Sequence, residues 1–272
     1  MLQSFLITLR EGLEMSLVVV ILLAYIKKTG NEQNFKAVWQ GTGAGVGVSI
    51  LGGVALFGFG RNLEGKAEKV FEGVAMMLAA LVLSWMIVWM KRHAKYLRNE
   101  LENRLGEAIQ AESVWAIAAI PFFTIVREGL ETSLFIFGAS KTASPGSTAF
   151  GAVAGLLVAI LIGRFIYQGT MSINLGKLFN VTGILLVLFA GGLLTHGIHE
   201  FQEAGLIPFI VEHVWDVNHI IDENGMIGSF LKGIFGYNSN PSLLEIFVYP
   251  AYVIGAMSFF LLPVSSVRKP SS

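Results

Sequence analysis

The sequence predicts an all-α membrane protein with seven transmembrane helices. Apolar runs of about 20 residues recur along the 272-residue chain, and each can cross a bilayer core of roughly 30 Å. Charged residues make up 14% of the chain, against about 25% in a typical soluble domain. The chain also repeats part of its own sequence. These three observations together favour a polytopic membrane protein.

Composition excludes several kinds of function. The formal net charge is zero, so the chain has no basic field that would attract nucleic acid. It has no cysteine, which rules out disulfides, thiolate metal sites and cysteine-ligated iron–sulfur clusters. Any metal must therefore be held by oxygen and nitrogen ligands.

Hydropathy divides the chain into seven spans within one integral-membrane domain, residues 1–272. The first is expected to be a retained helix, because Arg10 and Glu11 interrupt its apolar run and no A-x-A-like cleavage site follows. Trp85 and Trp89 fall near the end of the third span, where an aromatic belt would lie. The spans are placed at about 2–26, 37–59, 70–90, 114–137, 147–168, 178–198 and 244–264.

Basic residues predict the orientation, since they concentrate on the cytoplasmic side. Twelve fall on one side and five on the other, which puts the N-terminus outside and the C-terminus inside. The inner group is Lys27, Lys28, Lys36, Lys91, Arg92, Lys95, Arg98, Arg104, Arg164, Lys177, Arg268 and Lys269; the outer group is Arg61, Lys66, Lys69, Lys141 and Lys232.

The segment 91–113 between the third and fourth spans predicts a short interfacial helix on the inner side. Leu97, Leu101 and Leu105 form an apolar stripe at four-residue spacing, and Glu100 can pair with Arg104. A solvated connector without further function is the alternative.

The chain contains an internal repeat. Residues 9–14, Leu-Arg-Glu-Gly-Leu-Glu, recur as Val-Arg-Glu-Gly-Leu-Glu at 126–131, an offset of 117, and the second and fifth spans align at an offset of 110. Three spans per copy is an odd number, so the second copy (about 114–203) is inverted relative to the first (about 1–90). Outer loop 204–243 and the seventh span follow. Inverted repeats commonly place a substrate site near the midplane. Small residues at four-residue spacing, Gly41/Gly45 and Gly151/Gly155, predict close helix packing.

The repeated motif puts charge in mid-membrane. Arg10, Glu11 and Glu14 lie about a dozen residues into the first span, and Arg127, Glu128 and Glu131 lie at similar depth in the fourth. Each unpaired charge there costs about 2.5–3.5 kcal/mol on insertion scales. One interpretation is purely structural: each arginine pairs with the glutamate four residues later and locks the two helices together. It leaves one carboxylate per helix unpaired.

A functional interpretation accounts for more. Glu11 and Glu14 share a helix face, as do Glu128 and Glu131, so two facing helices can offer four carboxylates to one cation. Oxygen ligands suit hard or borderline cations, including iron. The arginines would balance the carboxylate charge, and Gly12 and Gly129 would let a neighbouring backbone approach.

The doubled motif in the first and fourth of seven spans resembles the oxidase-dependent iron transporter family. That family includes the fungal high-affinity iron permease and the bacterial permease of the acid-induced three-component uptake system. The chain looks closer to the bacterial branch, because residues 211–242 are similar to its last outer loop. The resemblance implies iron import across the inner membrane, with Glu11, Glu14, Glu128 and Glu131 as the translocation residues.

The resemblance also implies partners. Bacterial relatives work with a periplasmic peroxidase and a cupredoxin-like or peptidase-like protein. We expect a multi-pass protein surrounded by lipid, with iron as its substrate and no permanently bound cofactor.

The outer end of the sixth span carries a second candidate site. His196, His199, Glu200 and Glu203 recur at helical spacing and share one face if the helix continues to residue 203. We expect His199, Glu200 and Glu203 to capture iron before it crosses, with a solvated helix end as the alternative. Outer-loop residues Glu212, His213, Asp216, His219, Asp222 and Glu223 would concentrate cations there.

Two further side chains are candidates for the pathway. His196 shares the helix face of the capture residues, and Glu72 lies at the outer end of the third span. Interaction of Glu72 with the dipole at a helix start is the favoured alternative.

Three other functions fit the sequence less well. A permease for another divalent cation, such as manganese or lead, fits the same carboxylates. An intramembrane enzyme is disfavoured, because the chain has neither an HExxH zinc motif nor a GxSxG nucleophile elbow. A non-transporting metal sensor is disfavoured because no segment resembles a signalling domain.

Overall fold

The computed structural model describes residues 1–93, 97–169, 175–222 and 225–261. Most of these residues are helical and none of them forms a strand, so the all-α prediction is confirmed for them. The predicted end of the seventh span, Lys95, Glu223, Arg268 and Lys269 lie outside the described residues. The helices are α1 (Leu2–Lys28), α2 (Phe35–Arg61), α3 (Lys66–His93), α4 (Leu97–Gln110), α5 (Val114–Thr142), α6 (Pro145–Tyr167), α7 (Leu175–Glu203), α8 (Met226–Phe235) and α9 (Leu243–Leu261), with a 3-10 turn at Glu32–Asn34.

Among the described residues, four helical segments are long and apolar enough to cross a membrane: Glu32–Arg61, Lys66–Met90, Pro145–Tyr167 and Val181–Glu203. A shorter apolar segment, Leu243–Phe259, follows in α9. α1 and α5 have a similar length, 27 and 29 residues, but carry the charged motifs in their middle. The seven-span arrangement therefore stays a prediction.

Local sequence explains where several helices begin and end. Ser113 caps α5, its hydroxyl accepting a 3.2 Å hydrogen bond from the Ala116 amide. Pro145 occupies the first turn of α6, where no backbone donor is lost. Gly30 and Gly65, with φ of 72° and 61°, turn the chain after α1 and before α3.

The broadest helix contacts pair α1 with α6, α2 with α5, and α3 with α7. A Cβ atom at Gly41 of α2 would overlap the Ala118 carbonyl of α5, and one at Gly151 of α6 would overlap the Met1 carbonyl of α1. Gly41 and Gly151 correspond at the offset of 110, and Met1 and Ala118 at the offset of 117. The two pairs of helices thus pack through equivalent residues.

Further glycine contacts along these helices show the direction in which each pair runs. Further along α6, Gly163 lies against Ser16 of α1, and in α2 Gly53 lies against Ser133 of α5. Residue numbers rise together in both pairs, so α1 is parallel to α6 and α2 is parallel to α5. α3 and α7 run antiparallel, because Gly73 lies against Phe201 and Gly197 lies against Met77.

The core lies where α3 and α7 meet. Its largest buried apolar cluster combines residues of these helices with Phe135 and Ala139 of α5 and Ile7 of α1. α4 packs separately on the ends of α1 and α5 through buried Leu101, Leu105 and Ala108. Its predicted pair forms, with Glu100 Oε1 2.6 Å from Arg104 Nη2.

Between α7 and α9, the described residues form two arms on either side of α8. The two arms are joined by backbone hydrogen bonds, from the Val214 amide to the Pro241 carbonyl and from the Val217 amide to the Ser239 carbonyl. α8 ends at Gly236, whose φ is 62°, and Gly236 lies directly against Gly192 of α7. The backbones of these two segments touch because neither residue has a side chain.

Candidate metal-binding site

The charged motifs, 10–14 on α1 and 127–131 on α5, meet where these two helices pack together. One carboxylate oxygen each from Glu11, Glu128 and Glu131 lie within 4.8 Å of one another. Glu11 has no exposed surface and Glu128 is 5% exposed. The structure thus brings three of the four predicted glutamates into one buried cluster contributed by both helices.

Arg10 joins Glu14 to this cluster. Its Nη1 lies 3.0 Å from Glu11 Oε1, and its Nη2 lies 3.1 Å from Glu14 Oε1. Nη1 also donates to the Met86 sulfur at 3.2 Å. With 2% of its surface exposed, Arg10 is enclosed on all sides by protein.

Arg127 is held less completely. Its Nε donates to Glu131 Oε1 at 2.9 Å, whereas Glu128 Oε1 lies 3.9 Å from the same atom. Its side chain is 40% exposed. Both arginines therefore contact the glutamate four residues later, as the structural interpretation of the motif requires, but their surroundings differ.

Three carboxylate oxygens of the cluster have no hydrogen-bond partner among the described residues. They are Oε2 of Glu11, Glu128 and Glu131, and all three are buried. An unsatisfied buried acceptor costs about 1–3 kcal/mol, and more when it is charged. A bound cation or a shared proton would satisfy these oxygens.

The motif glycines allow close packing: side-chain atoms of neighbouring helices lie nearest, and a backbone Cα atom also lies within 4 Å of each Cβ position. A Cβ atom at Gly12 would lie 2.8 Å from the Ala159 Cβ of α6, and one at Gly129 would overlap the Ser49 side chain of α2. Ala159 and Ser49 correspond at the offset of 110. The two motifs thus have equivalent neighbours.

The predicted outer residues form a closed ion-pair network. Lys69 Nζ lies 3.0 Å from Glu200 Oε2 and 2.6 Å from Glu203 Oε2. His199 lies between two carboxylates, with Nε2 3.3 Å from Glu203 Oε1 and Nδ1 2.8 Å from Glu245 Oε1. α7 does continue to Glu203, so the shared face exists. The Lys69 ammonium of α3 therefore binds two of the carboxylates that were predicted to bind iron.

Glu72 contacts a lysine of α5, and His196 contacts a backbone carbonyl of its own helix. α3 begins at Lys66, so Glu72 lies in its second turn and pairs with Lys141 at the end of α5. The interaction with a helix-start dipole is therefore not its main contact. His196 Nδ1 lies 3.0 Å from the Gly192 carbonyl within α7.

Sequence reasoning missed Glu245 and the role of Lys69. Glu245 is 6% exposed and is bound by His199, by Asn238 at 2.9 Å and by the Ser242 hydroxyl at 3.1 Å. A carboxylate in the first turn of the apolar α9 was the available signal. Lys69 was counted only for orientation.

Residues 1–268 match the family described as "Iron permease FTR1 family". This chain belongs to that family. The family is one of permeases, so the chain is an integral-membrane iron transporter rather than an enzyme.

Curated bacterial relatives are similar over almost their whole length. "Ferrous iron permease EfeU" of Yersinia pestis is 33% identical over 264 residues, which cover 96% of this chain and 94% of the relative. The protein of the same name from Escherichia coli O157:H7 is 31% identical over 261 residues, 95% of each chain. No solved structure matches the chain. The resemblance to the bacterial branch is thereby confirmed.

Proposed function

We propose that this permease imports iron through the buried cluster of Glu11, Glu128 and Glu131. The observation that carries the proposal is the convergence of three carboxylates from both motifs, each with a buried oxygen that lacks a partner. Three carboxylates from two different helices suit a cation that must be bound and then released. Glu14 belongs to the same group through Arg10.

Charge favours a divalent ion. Four glutamates and two arginines have a formal charge of −2, which one divalent cation neutralises. The relatives from Yersinia pestis and Escherichia coli are named ferrous iron permeases. Ferrous iron is therefore the proposed substrate, and no cofactor is proposed to stay bound.

We infer a seven-span topology with an inverted repeat, in which α1–α3 correspond to α5–α7. The equivalent packing of α1 on α6 and of α2 on α5 supports the repeat. The parallel course of α1 and α6 supports the count of seven spans. If α4 does not cross the membrane, the chain reverses direction four times from α1 to α6, at α2, α3, α5 and α6, and the two helices run the same way. A crossing by α4 would make them antiparallel. α4 has a polar surface and packs on helix ends, which agrees with an inner interfacial position.

The outer network is proposed as the place where iron is first captured. His199, Glu200 and Glu203 supply nitrogen and oxygen ligands, and Glu245 adds a fourth group. Lys69 competes with the arriving ion for two of the carboxylates. Glu72 and His196 would follow on the way inward.

The inner membrane of a bacterial cell is the proposed location. The outer segment 204–242 is the proposed contact region for a periplasmic peroxidase or a cupredoxin-like or peptidase-like partner. Exposed apolar side chains in this segment, including Ile210 and Trp215, support such a contact.

The direct test is iron-55 uptake into proteoliposomes. Ferrous iron kept reduced and ferric citrate are compared, each with and without an inward pH gradient. Saturable ferrous uptake above that of protein-free vesicles is expected. Competing manganese and lead should reduce it less than unlabelled ferrous iron does. Stronger competition by either metal would make that metal the substrate, and no uptake under any condition would contradict the proposal.

A further inference from the structure

Two indole rings hold one face of Arg127. Trp85 and Trp89, one turn apart on α3, stack with their centroids 6.1 Å apart and their planes at 27°. The guanidinium carbon of Arg127 lies 5.6 Å from the Trp85 centroid and 5.3 Å from the Trp89 centroid. This is the distance at which a cation is attracted by an aromatic face. The pair that sequence suggested as an interfacial belt thus contacts the charged motif.

The two arginines of the repeat are unequal in this respect. Arg10 has ion-pair contacts through both terminal nitrogens and is 2% exposed. Arg127 contacts Glu131 through Nε, at the root of its guanidinium, and is 40% exposed. Movement of Arg10 would require the core around Met86 to open, whereas Arg127 can turn about its own side chain.

We propose that Trp85 and Trp89 are positioning residues for iron binding, which hold the Arg127 guanidinium when the ion displaces it from Glu131. This inference rests on the proposed iron site. An ion at Glu11, Glu128 and Glu131 adds positive charge beside Arg127 and competes for the Glu131 carboxylate. Contact with the two stacked indoles then stabilises the displaced guanidinium.

The proposal predicts where the aromatic contact matters most. Without iron, Arg127 has both Glu131 and the indoles; with iron it retains only the indoles. Removing the rings therefore penalises the iron-bound state more than the free state. Because Arg10 stays with its carboxylates in both states, the cluster keeps one fixed and one exchangeable positive charge.

A double-mutant cycle on the purified full chain tests this. Equilibrium binding of ferrous iron-55 is measured for the original protein, for the Trp85→Leu/Trp89→Leu variant, for Arg127→Gln, and for all three substitutions together. We expect the tryptophan changes to weaken binding about tenfold when Arg127 is present and less than about twofold in the Arg127→Gln background. Trp85→Phe/Trp89→Phe should recover most of the affinity, because phenylalanine keeps an aromatic face.

Trp115→Leu is the matched control, since that indole is 87% exposed and far along α5 from the motif. Equal weakening in both backgrounds would mean that the indoles merely pack α3, and would overturn the inference; so would an unchanged affinity. If the double Leu variant unfolds, the single variants Trp85→Leu and Trp89→Leu are compared in the same two backgrounds. Absence of iron binding by the original protein would instead refute the proposed function.

Discussion

At the scale of single residues, the charged motif combines ion pairs with unsatisfied oxygens. Arg10 joins Glu11 and Glu14, and Arg127 pairs with Glu131, so four carboxylates share two guanidinium groups. Pairing lowers the insertion penalty of about 2.5–3.5 kcal/mol per charge. The structural and functional interpretations of the motif are therefore compatible, because the pairs form and oxygens still remain for an ion.

Replacing Glu11, Glu14, Glu128 or Glu131 singly with glutamine should reduce iron uptake by more than about tenfold. Glutamine keeps the size of the side chain but loses the charge, and an interaction with a charged partner contributes about 1.5–3 kcal/mol. Uptake by proteoliposomes containing equal amounts of each variant measures the effect. Glu64→Gln, at an exposed position between α2 and α3, is the control. Near-normal uptake by all four variants would eliminate the carboxylate site.

The outer network should act on affinity rather than on the maximal rate. Replacing His199, Glu200 and Glu203 together with alanine should raise KM several-fold and leave the maximal rate largely intact, so excess iron restores uptake. Binding there should also weaken as pH falls towards about 6, because protonated histidine cannot ligate metal. An unchanged uptake curve would mean that these residues are only a solvated helix end. A loss that excess iron cannot restore would place them in the crossing pathway.

Replacing Lys69 in the outer network should have the opposite effect on KM. Lys69→Gln removes the ammonium that lies 3.0 Å from Glu200 and 2.6 Å from Glu203, so both carboxylates become available to iron. KM should fall below that of the original protein. Lys66→Gln, at an exposed position one turn earlier on α3, should leave KM unchanged. A higher KM for Lys69→Gln would show that the lysine supports the site rather than competing with its ion.

At the scale of elements, the position of α8 is set by its contact with α7. Its C-terminal end lies against Gly192, eleven residues before α7 ends at Glu203. At 1.5 Å per residue, α8 reaches about 16 Å along α7 from that end. α8 also contacts α1 and α5, the helices that carry the charged motifs.

Gly192→Ala should destabilise this arrangement. Its Cβ atom would lie 2.8 Å from the Gly236 backbone, which cannot turn away as a side chain would. Overpacking of this kind costs about 1–3 kcal/mol. The variant should show a lower Tm in detergent and faster proteolysis within 204–242. Gly255→Ala is the matched control, because a Cβ atom at that helical glycine meets nothing within 4 Å. Equal Tm values for the two variants would contradict the tight contact.

What sequence could predict at this scale depends on how local the signal is. The leucine stripe of α4 and the Glu100–Arg104 pair follow from helical spacing alone, and both are present. The pairing of Glu245 with His199 joins residues 46 positions apart, and no spacing rule connects them. Likewise, the sequence of α3 does not show that Lys69 binds carboxylates of α7 or that Trp85 contacts Arg127 of α5.

At the scale of the whole molecule, the repeat explains why two motifs make one site. Equivalent glycine contacts on both sides bring α1 and α5 together, with α6 and α2 packed outside them. A single copy would supply Glu11 and Glu14 without Glu128 and Glu131. The internal repeat was readable from sequence because identical residues recur at constant offsets, whereas the asymmetry between Arg10 and Arg127 arises from α3 and has no counterpart in the motif.

The proposed topology makes a prediction about both faces of the membrane. Because the chain has no cysteine, single cysteines introduced at Asp216 and Asn103 are unique labelling sites, and both positions are exposed. A membrane-impermeant maleimide should label Asp216→Cys in intact spheroplasts, and should label Asn103→Cys only after the membrane is opened. Asp216 lies between α7 and α9, which the proposed topology places outside, and Asn103 lies on α4, which it places inside. Labelling of both positions in intact spheroplasts would mean that α4 lies outside. The reverse pattern would mean that the whole chain has the opposite orientation, so that the outer network would face the cytoplasm.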